Sequence, residues 1–123
     1  MSDTNFILLY VDNPEVSARW YADLLGRPPV EASPTFVMFP LNSDLMLGLW
    51  SRHHVEPPAV GSPGASEIAF TKPDADAVRS TYADWVERGV RIAQPPTAMD
   101  FGFTFVALDP DDHRLRVFTP AAS

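Results

Sequence analysis

The tripeptide Tyr-Ala-Asp occurs twice, as Tyr21-Ala22-Asp23 and Tyr82-Ala83-Asp84, and each copy closes a stretch with helical spacing of apolar residues. Ahead of each stretch lies a short strand-like run, Phe6 to Val11 and Glu67 to Thr71. After each comes a glycine stop, Gly26 and Gly89, and then more strand-like sequence. Self-similarity on this scale signals duplication of one supersecondary unit. It constrains the chain to two copies of that unit, with a site built between them.

The elements follow from local chemistry. Asn5 to Val11 is a continuous apolar run of strand length, the pattern of a strand covered on both faces. Asp12-Asn13-Pro14 opens the first helix: Asp12 or Asn13 caps the free N–H groups, and Pro14 fits the first turn. Val16, Trp20 and Leu24 fall on one helical face with Tyr21 and Leu25 beside them. Pro28-Pro29 stiffens the exit, and a weak strand is placed near Val30. Phe36 to Phe39 and Leu45 to Trp50 read as strands joined by a turn through Asn42-Ser43-Asp44. The first unit, residues 1–51, is therefore β-α-β-β-β.

Residues 52–64 hold Pro57, Pro58, Pro63, Gly61 and Gly64, the composition of a linker. The second unit, 65–123, repeats the order. Asp74 caps a helix whose Val78, Tyr82, Trp85 and Val86 share a face. Val90 to Ala93 is a short strand, and Pro95-Pro96 breaks the chain after it. Phe103 to Leu108 and Leu115 to Phe118 are strands around an Asp109-Pro110-Asp111-Asp112 turn. Leu115 and Val117 alternate with Arg114 and Arg116.

Composition removes several function classes. A chain of 123 residues fits one domain, and with no cysteine it has neither disulfides nor thiolate chemistry. A net charge of −7 argues against nucleic-acid binding, which needs clustered Lys and Arg. It favours solubility, and weakly a cationic ligand. Met1-Ser2-Asp3-Thr4 lacks the charged and apolar regions of a signal peptide, and no apolar run is long enough to span a membrane. The expectation is a cytoplasmic protein with no membrane association.

Two tandem β-α-β-β-β units resemble the vicinal oxygen chelate superfamily, which includes glyoxalase I, extradiol dioxygenases, fosfomycin-modifying enzymes and bleomycin-resistance binding proteins. The resemblance spans nearly the whole chain. It rests on the strand-Asp-helix start from Val11-Asp12 to Trp20-Tyr21, on Leu24-Leu25-Gly26, and on the stretch Phe105 to His113. In that stretch Asp112 stands where the family's Asp-Pro-Asp-Gly turn has glycine. The implied fold is α+β, with two βαβββ units forming a cupped mixed sheet around a cleft.

Metal enzymes of that family place one ligand on the first and last strand of each unit. Matched strand to strand, those positions are Asn5, Gly48, Glu67 and Arg116. Gly48 has no side chain, and Arg116 is a permanent cation that repels a divalent metal. One carboxylate and one amide do not replace a ligand set of three or four. No metal or other cofactor is expected. The histidines add none: His53-His54 open the linker, with His53 placed to lean over the cleft mouth beside Trp50, and His113 lies at a turn.

In place of a metal the resemblance implies an Arg116–Glu67 ion pair facing the cleft, either plugging the vacated site or binding polar groups of a ligand. Phe36 matches a position where bleomycin-resistance proteins hold an aromatic against the drug, and Phe101-Gly102 matches their aromatic-Gly step. Trp50 shares the Gly48 strand face, and Gly48 leaves room for a flat ring. The expected function is non-enzymatic sequestration of a small aromatic compound, such as an antibiotic, by a homodimer. The ligand residues are Asn5, Phe36, Gly48, Trp50, His53, Glu67, Phe101 and Arg116. The alternatives are a metal-dependent lyase, isomerase or dioxygenase with an atypical site, and a metal-free enzyme with Glu67 as general base.

Overall fold

The computed structural model describes Thr4–Ala121, so the N-terminal reading of Met1 to Asp3 lies outside the described residues. The chain divides into two compact units, Met1–Gly61 and Ser62–Ser123. In the first, β1 (Asn5–Val11), α1 (Pro14–Leu25), β2 (Glu31–Ala32), β3 (Phe36–Asn42) and β4 (Leu45–Ser51) follow one another. In the second, β5 (Glu67–Thr71), α2 (Ala75–Glu87), β6 (Arg91–Met99), β7 (Gly102–Leu108) and β8 (Arg114–Pro120) repeat that order. Both are α+β units with a four-stranded mixed sheet, ordered β1-β4-β3-β2 and β5-β8-β7-β6. The first and last strand of each unit pair in parallel, and the remaining pairs are antiparallel.

The helix ends follow the capping chemistry. Asn13 is the N-cap of α1, its side-chain oxygen accepting from the Glu15 and Val16 amides, and Pro14 occupies the first turn. Gly26 takes the left-handed conformation that stops α1, with φ 69°. Asp74 caps α2 by accepting from Ala77 N at 2.8 Å. Asp112, in the turn before β8, has φ 71°. Aspartate is among the few residues that tolerate this region, and Arg91 Nη1 holds the Asp112 carboxylate at 2.6 Å.

In each unit the helix covers one sheet face. Tyr21 of α1 is fully buried with Leu9, Val11, Val37, Phe39, Leu47 and Leu49. The buried stripe of α1 is Pro14, Ser17 and Tyr21. Val16 is exposed, so the inward face is rotated from the expected Val16-Trp20-Leu24 stripe. In the second unit Val78 and Trp85 are buried together with Ile68, Phe105, Leu115 and Val117. Tyr82 and Trp85 both meet the Phe105 ring edge-on at 5.4 Å. Burying one such ring contributes about 1.5–3 kcal/mol.

Two further expectations are overturned. Pro95-Pro96 does not end the strand: β6 runs on to Met99. Gln94 pairs Val106 and Thr97 pairs Thr104, so both prolines oppose the single residue Phe105 in a bulge. Strand β6 is an edge strand, where a missing N–H breaks no ladder. Strand β1, expected to be covered on both faces, is covered on one. Phe6, Leu8 and Tyr10 remain 48%, 43% and 40% exposed.

Candidate functional site

The open face of the first sheet is built by strand alternation. Leu8 pairs with Gly48 and Tyr10 with Trp50, while Phe36 pairs with Trp50 and Met38 with Gly48. Side chains two apart share a face, so Phe6, Leu8, Tyr10, Phe36, Met38, Gly48 and Trp50 lie on one side. Trp50 is the hub. Its ring meets Tyr10 edge-on at 6.2 Å and Phe36 edge-on at 6.5 Å. Asn5 is not on this face. Its partner is Leu45, and by alternation it belongs with Leu9 and Val11 on the helix side; the position beside Gly48 belongs to Leu8.

Gly48 does not leave vacant room. A Cβ there would stand 2.6 Å from Leu8 Cδ2 and 2.9 Å from Phe36 Cζ. The chain's own Leu8 and Phe36 fill the space above the glycine, and the missing side chain lets them close over the strand. His53 is tied to Asp12, Nε2 to Oδ1 at 2.8 Å, with both side chains largely exposed. His54 Nδ1 lies 3.0 Å from Ser51 Oγ.

The second unit carries a polar constellation on its open face. Arg116 Nε donates to Glu67 Oε1 at 2.5 Å and Nη2 to Oε2 at 3.3 Å, a two-pronged pair. Its Nη1 donates to Thr104 Oγ1 at 3.2 Å, and that buried hydroxyl donates to Val117 O at 2.9 Å. Each hydrogen-bonding group thus has a defined role. The guanidinium also lies 5.6 Å from the centre of the Phe101 ring, within cation–π range. Phe101 stands edge-on to Phe118 at 6.0 Å and is 44% exposed.

Gly102 sets the position of Phe101. It has φ 150°, and a Cβ would come within 2.0 Å of the Thr119 carbonyl oxygen. Only glycine lets the start of β7 lie this close to the end of β8, which carries Phe101 over Phe118 and Arg116. A cavity of about 280 Å³ adjoins the pair, lined by Ala93, Gln94, Val106, Arg114 and Arg116.

A model of the glyoxalase/bleomycin resistance protein/dioxygenase superfamily matches residues 4–117. The chain belongs to this superfamily. It is 32% identical over 116 residues to the phenazine antibiotic resistance protein EhpR of Enterobacter agglomerans, covering 92% of this chain and 88% of that one. The solution structure of protein ATC0852 from Agrobacterium tumefaciens is similar with a TM-score of 0.88 and 49% identity, over 99% of this chain and 100% of that one. A glyoxalase-related enzyme from Fulvimarina pelagi has the same fold, with a TM-score of 0.82 at 23% identity over 97% of this chain and 88% of that one.

The residues at the superfamily's metal-ligand positions do not fit a metal. The first strand offers Leu8 beside Gly48, and neither supplies a donor. Both oxygens of Glu67 are engaged by the Arg116 guanidinium, a fixed positive charge in the place a cation would need. Among the described residues no three His, Asp or Glu side chains converge. No step through a metal is therefore derived. Among the described residues no helix is long and apolar enough to cross a membrane.

The sequence reading placed Asn5, Phe36, Gly48, Trp50, His53, Glu67, Phe101 and Arg116 around one cleft; Phe36, Gly48 and Trp50 share the open face of the first sheet, Glu67, Arg116 and Phe101 group in the second unit, Asn5 lies on the helix side, and His53 bonds Asp12. It missed Leu8, Tyr10, Thr104 and Phe118. Alternation was the available signal for Leu8 and Tyr10: an exposed face follows once β1 is covered by helix on one side only. Thr104 carried a signal as well, a hydroxyl within the apolar run Phe103 to Leu108.

Proposed function

We propose that this protein binds and sequesters a small planar aromatic compound of antibiotic type, without turning it over. The observation that carries the reading is the open aromatic face of the first sheet, where Trp50 is flanked by Tyr10 and Phe36 and bordered by exposed Phe6 and Leu8. Monomeric soluble proteins rarely leave such side chains clustered at the surface without a use for them. Edge-on rings present their faces and edges to a third ring, and each aromatic pair adds about 0.5–1.5 kcal/mol beyond area burial. Taken by itself, the second unit carries an aromatic surface of its own, Phe101, beside the Arg116–Glu67–Thr104 group. Likeness to a phenazine antibiotic resistance protein supports a flat heteroaromatic ligand. The protein acts in this reading as a homodimer in the cytoplasm, which light scattering and cell fractionation check.

The direct test is a titration with phenazine and acridine compounds, read by tryptophan quenching and thermal shift. Saturable quenching that disappears in Trp50→Phe is expected, with Trp20 and Trp85 remaining as the silent reporters. A ligand at 100 times its dissociation constant adds about 2.7 kcal/mol of stability. A flat response to every planar aromatic, or multiple turnovers of the bound compound, refutes the proposal.

A further inference from the structure

Strand β8 presents two arginines on one face, Arg114 and Arg116, separated by the buried Leu115. Backbone register sets Glu67 directly opposite Arg114, and Arg116 stands diagonal to it. The carboxylate nevertheless reaches along the diagonal and gives both oxygens to Arg116. Arg114 is left with no ion pair to any described residue. Such a diagonal reach is within range for long side chains on neighbouring strands.

Both guanidinium groups line the 280 Å³ cavity, whose other walls are Ala93, Gln94 and Val106. Pockets that enclose a whole drug-sized ligand start at about 300 Å³, so this cavity suits a substituent of the ligand. Its walls divide the work. Arg116 is neutralised by Glu67, Val106 is apolar, and Arg114 contributes a positive charge that no described residue pairs. Among the described residues the Gln94 amide nitrogen donates to Met99 Sδ at 3.7 Å, a weak acceptor, and it is a second donor on the same cavity. The net charge of −7 disfavours anions over the surface at large, but charges beyond about 8 Å are largely screened at physiological salt while a contact at hydrogen-bond distance is screened far less.

We infer that this cavity is a carboxylate subsite of the second unit, and that an aromatic acid bound there lays its ring on Phe101, beside Arg116, while Arg114 with Gln94 as second donor holds its carboxylate. The inference rests on the aromatic-binding reading and deepens it by assigning the ligand's charge. It reverses the cationic ligand that net charge alone suggests.

The test compares phenazine-1-carboxylate with its neutral counterpart, phenazine-1-carboxamide, by calorimetry on the full-length protein. The acid is expected to bind about tenfold more tightly, the difference made by one charge-assisted hydrogen bond. Arg114→Gln brings the ratio to about one, and Arg114→Lys retains part of the preference, since ammonium keeps the charge and loses the fork. Arg19→Gln, which removes an exposed charge on α1, leaves the ratio unchanged. Raising salt narrows the preference in the parent protein and not in Arg114→Gln. Equal binding of acid and amide overturns the carboxylate subsite and leaves the aromatic reading standing. A preference that survives Arg114→Gln also overturns it. Binding of neither compound overturns both.

Discussion

Removing Glu67 tests the polar half of the site through stability alone. Glu67→Ala leaves the Arg116 guanidinium with Thr104 and the Phe101 ring as its remaining partners. Stranding one member of a fully buried pair costs about 3–5 kcal/mol, whereas exposed pairs contribute about 0.2–1 kcal/mol. The pair lies between these limits, with side-chain exposures of 17% for Arg116 and 32% for Glu67. The expected loss for Glu67→Ala is therefore about 2–3 kcal/mol. Arg116→Ala strands the more exposed member, so its charge penalty is smaller, about 1–2 kcal/mol. The two single variants should differ in that order. Replacing both by apolar residues should recover part of the loss, because no charge is then left behind. Urea unfolding followed by Trp fluorescence measures each value; with a slope of roughly 1.5 kcal/mol per molar, Glu67→Ala lowers the midpoint by roughly 1–2 M. A loss below about 0.5 kcal/mol in both single variants, with additive effects in the double, would mean that water screens the pair and that it does not organise the site.

Gly102→Ala places a methyl group 2.0 Å from a backbone oxygen that has no rotamer to swing away; the expected loss exceeds about 3 kcal/mol, seen as failure to recover soluble folded protein or as a large fall in midpoint. Gly48→Ala meets side-chain ends on an open face, so the structure yields at a cost of about 1 kcal/mol, while displacement of Phe36 weakens aromatic quenching; unchanged ligand affinity would show that Phe36 is not a contact. Asp74→Ala removes the α2 cap and costs about 1 kcal/mol by urea unfolding, and Asp74→Asn restores most of it.

The duplicated order of elements was readable because its signals are local. Asn13 and Asp74 cap helices through their own neighbouring amides, and Gly26 stops a helix through its own φ. Leu115 and Val117 alternate with Arg114 and Arg116 because a strand has period two, and the burial of the first pair follows that period. Asn5 escaped the same logic. The register of a strand is set by which face its partner buries, and a one-residue shift moves every side chain to the opposite side. In a run where every residue from Phe6 to Val11 is apolar, neither face announces itself. Pro95-Pro96 was misjudged for a related reason: proline breaks a strand in the middle of a sheet and is tolerated at an edge, and edge position depends on strand order.

The sequence by itself determined the architecture, two copies of β-α-β-β-β, since helix caps, glycine stops and strand periodicity act between residues close along the chain. It also determined that Gly48 and Arg116 offer no metal-donor side chain, which is a matter of residue identity. Tertiary structure decided the rest. It closed Leu8 and Phe36 over Gly48, drew Glu67 diagonally to Arg116 and left Arg114 without an ion-pair partner among the described residues. These outcomes depend on distances between side chains on different strands, where carboxylate and guanidinium choose among neighbours that sequence spacing does not rank.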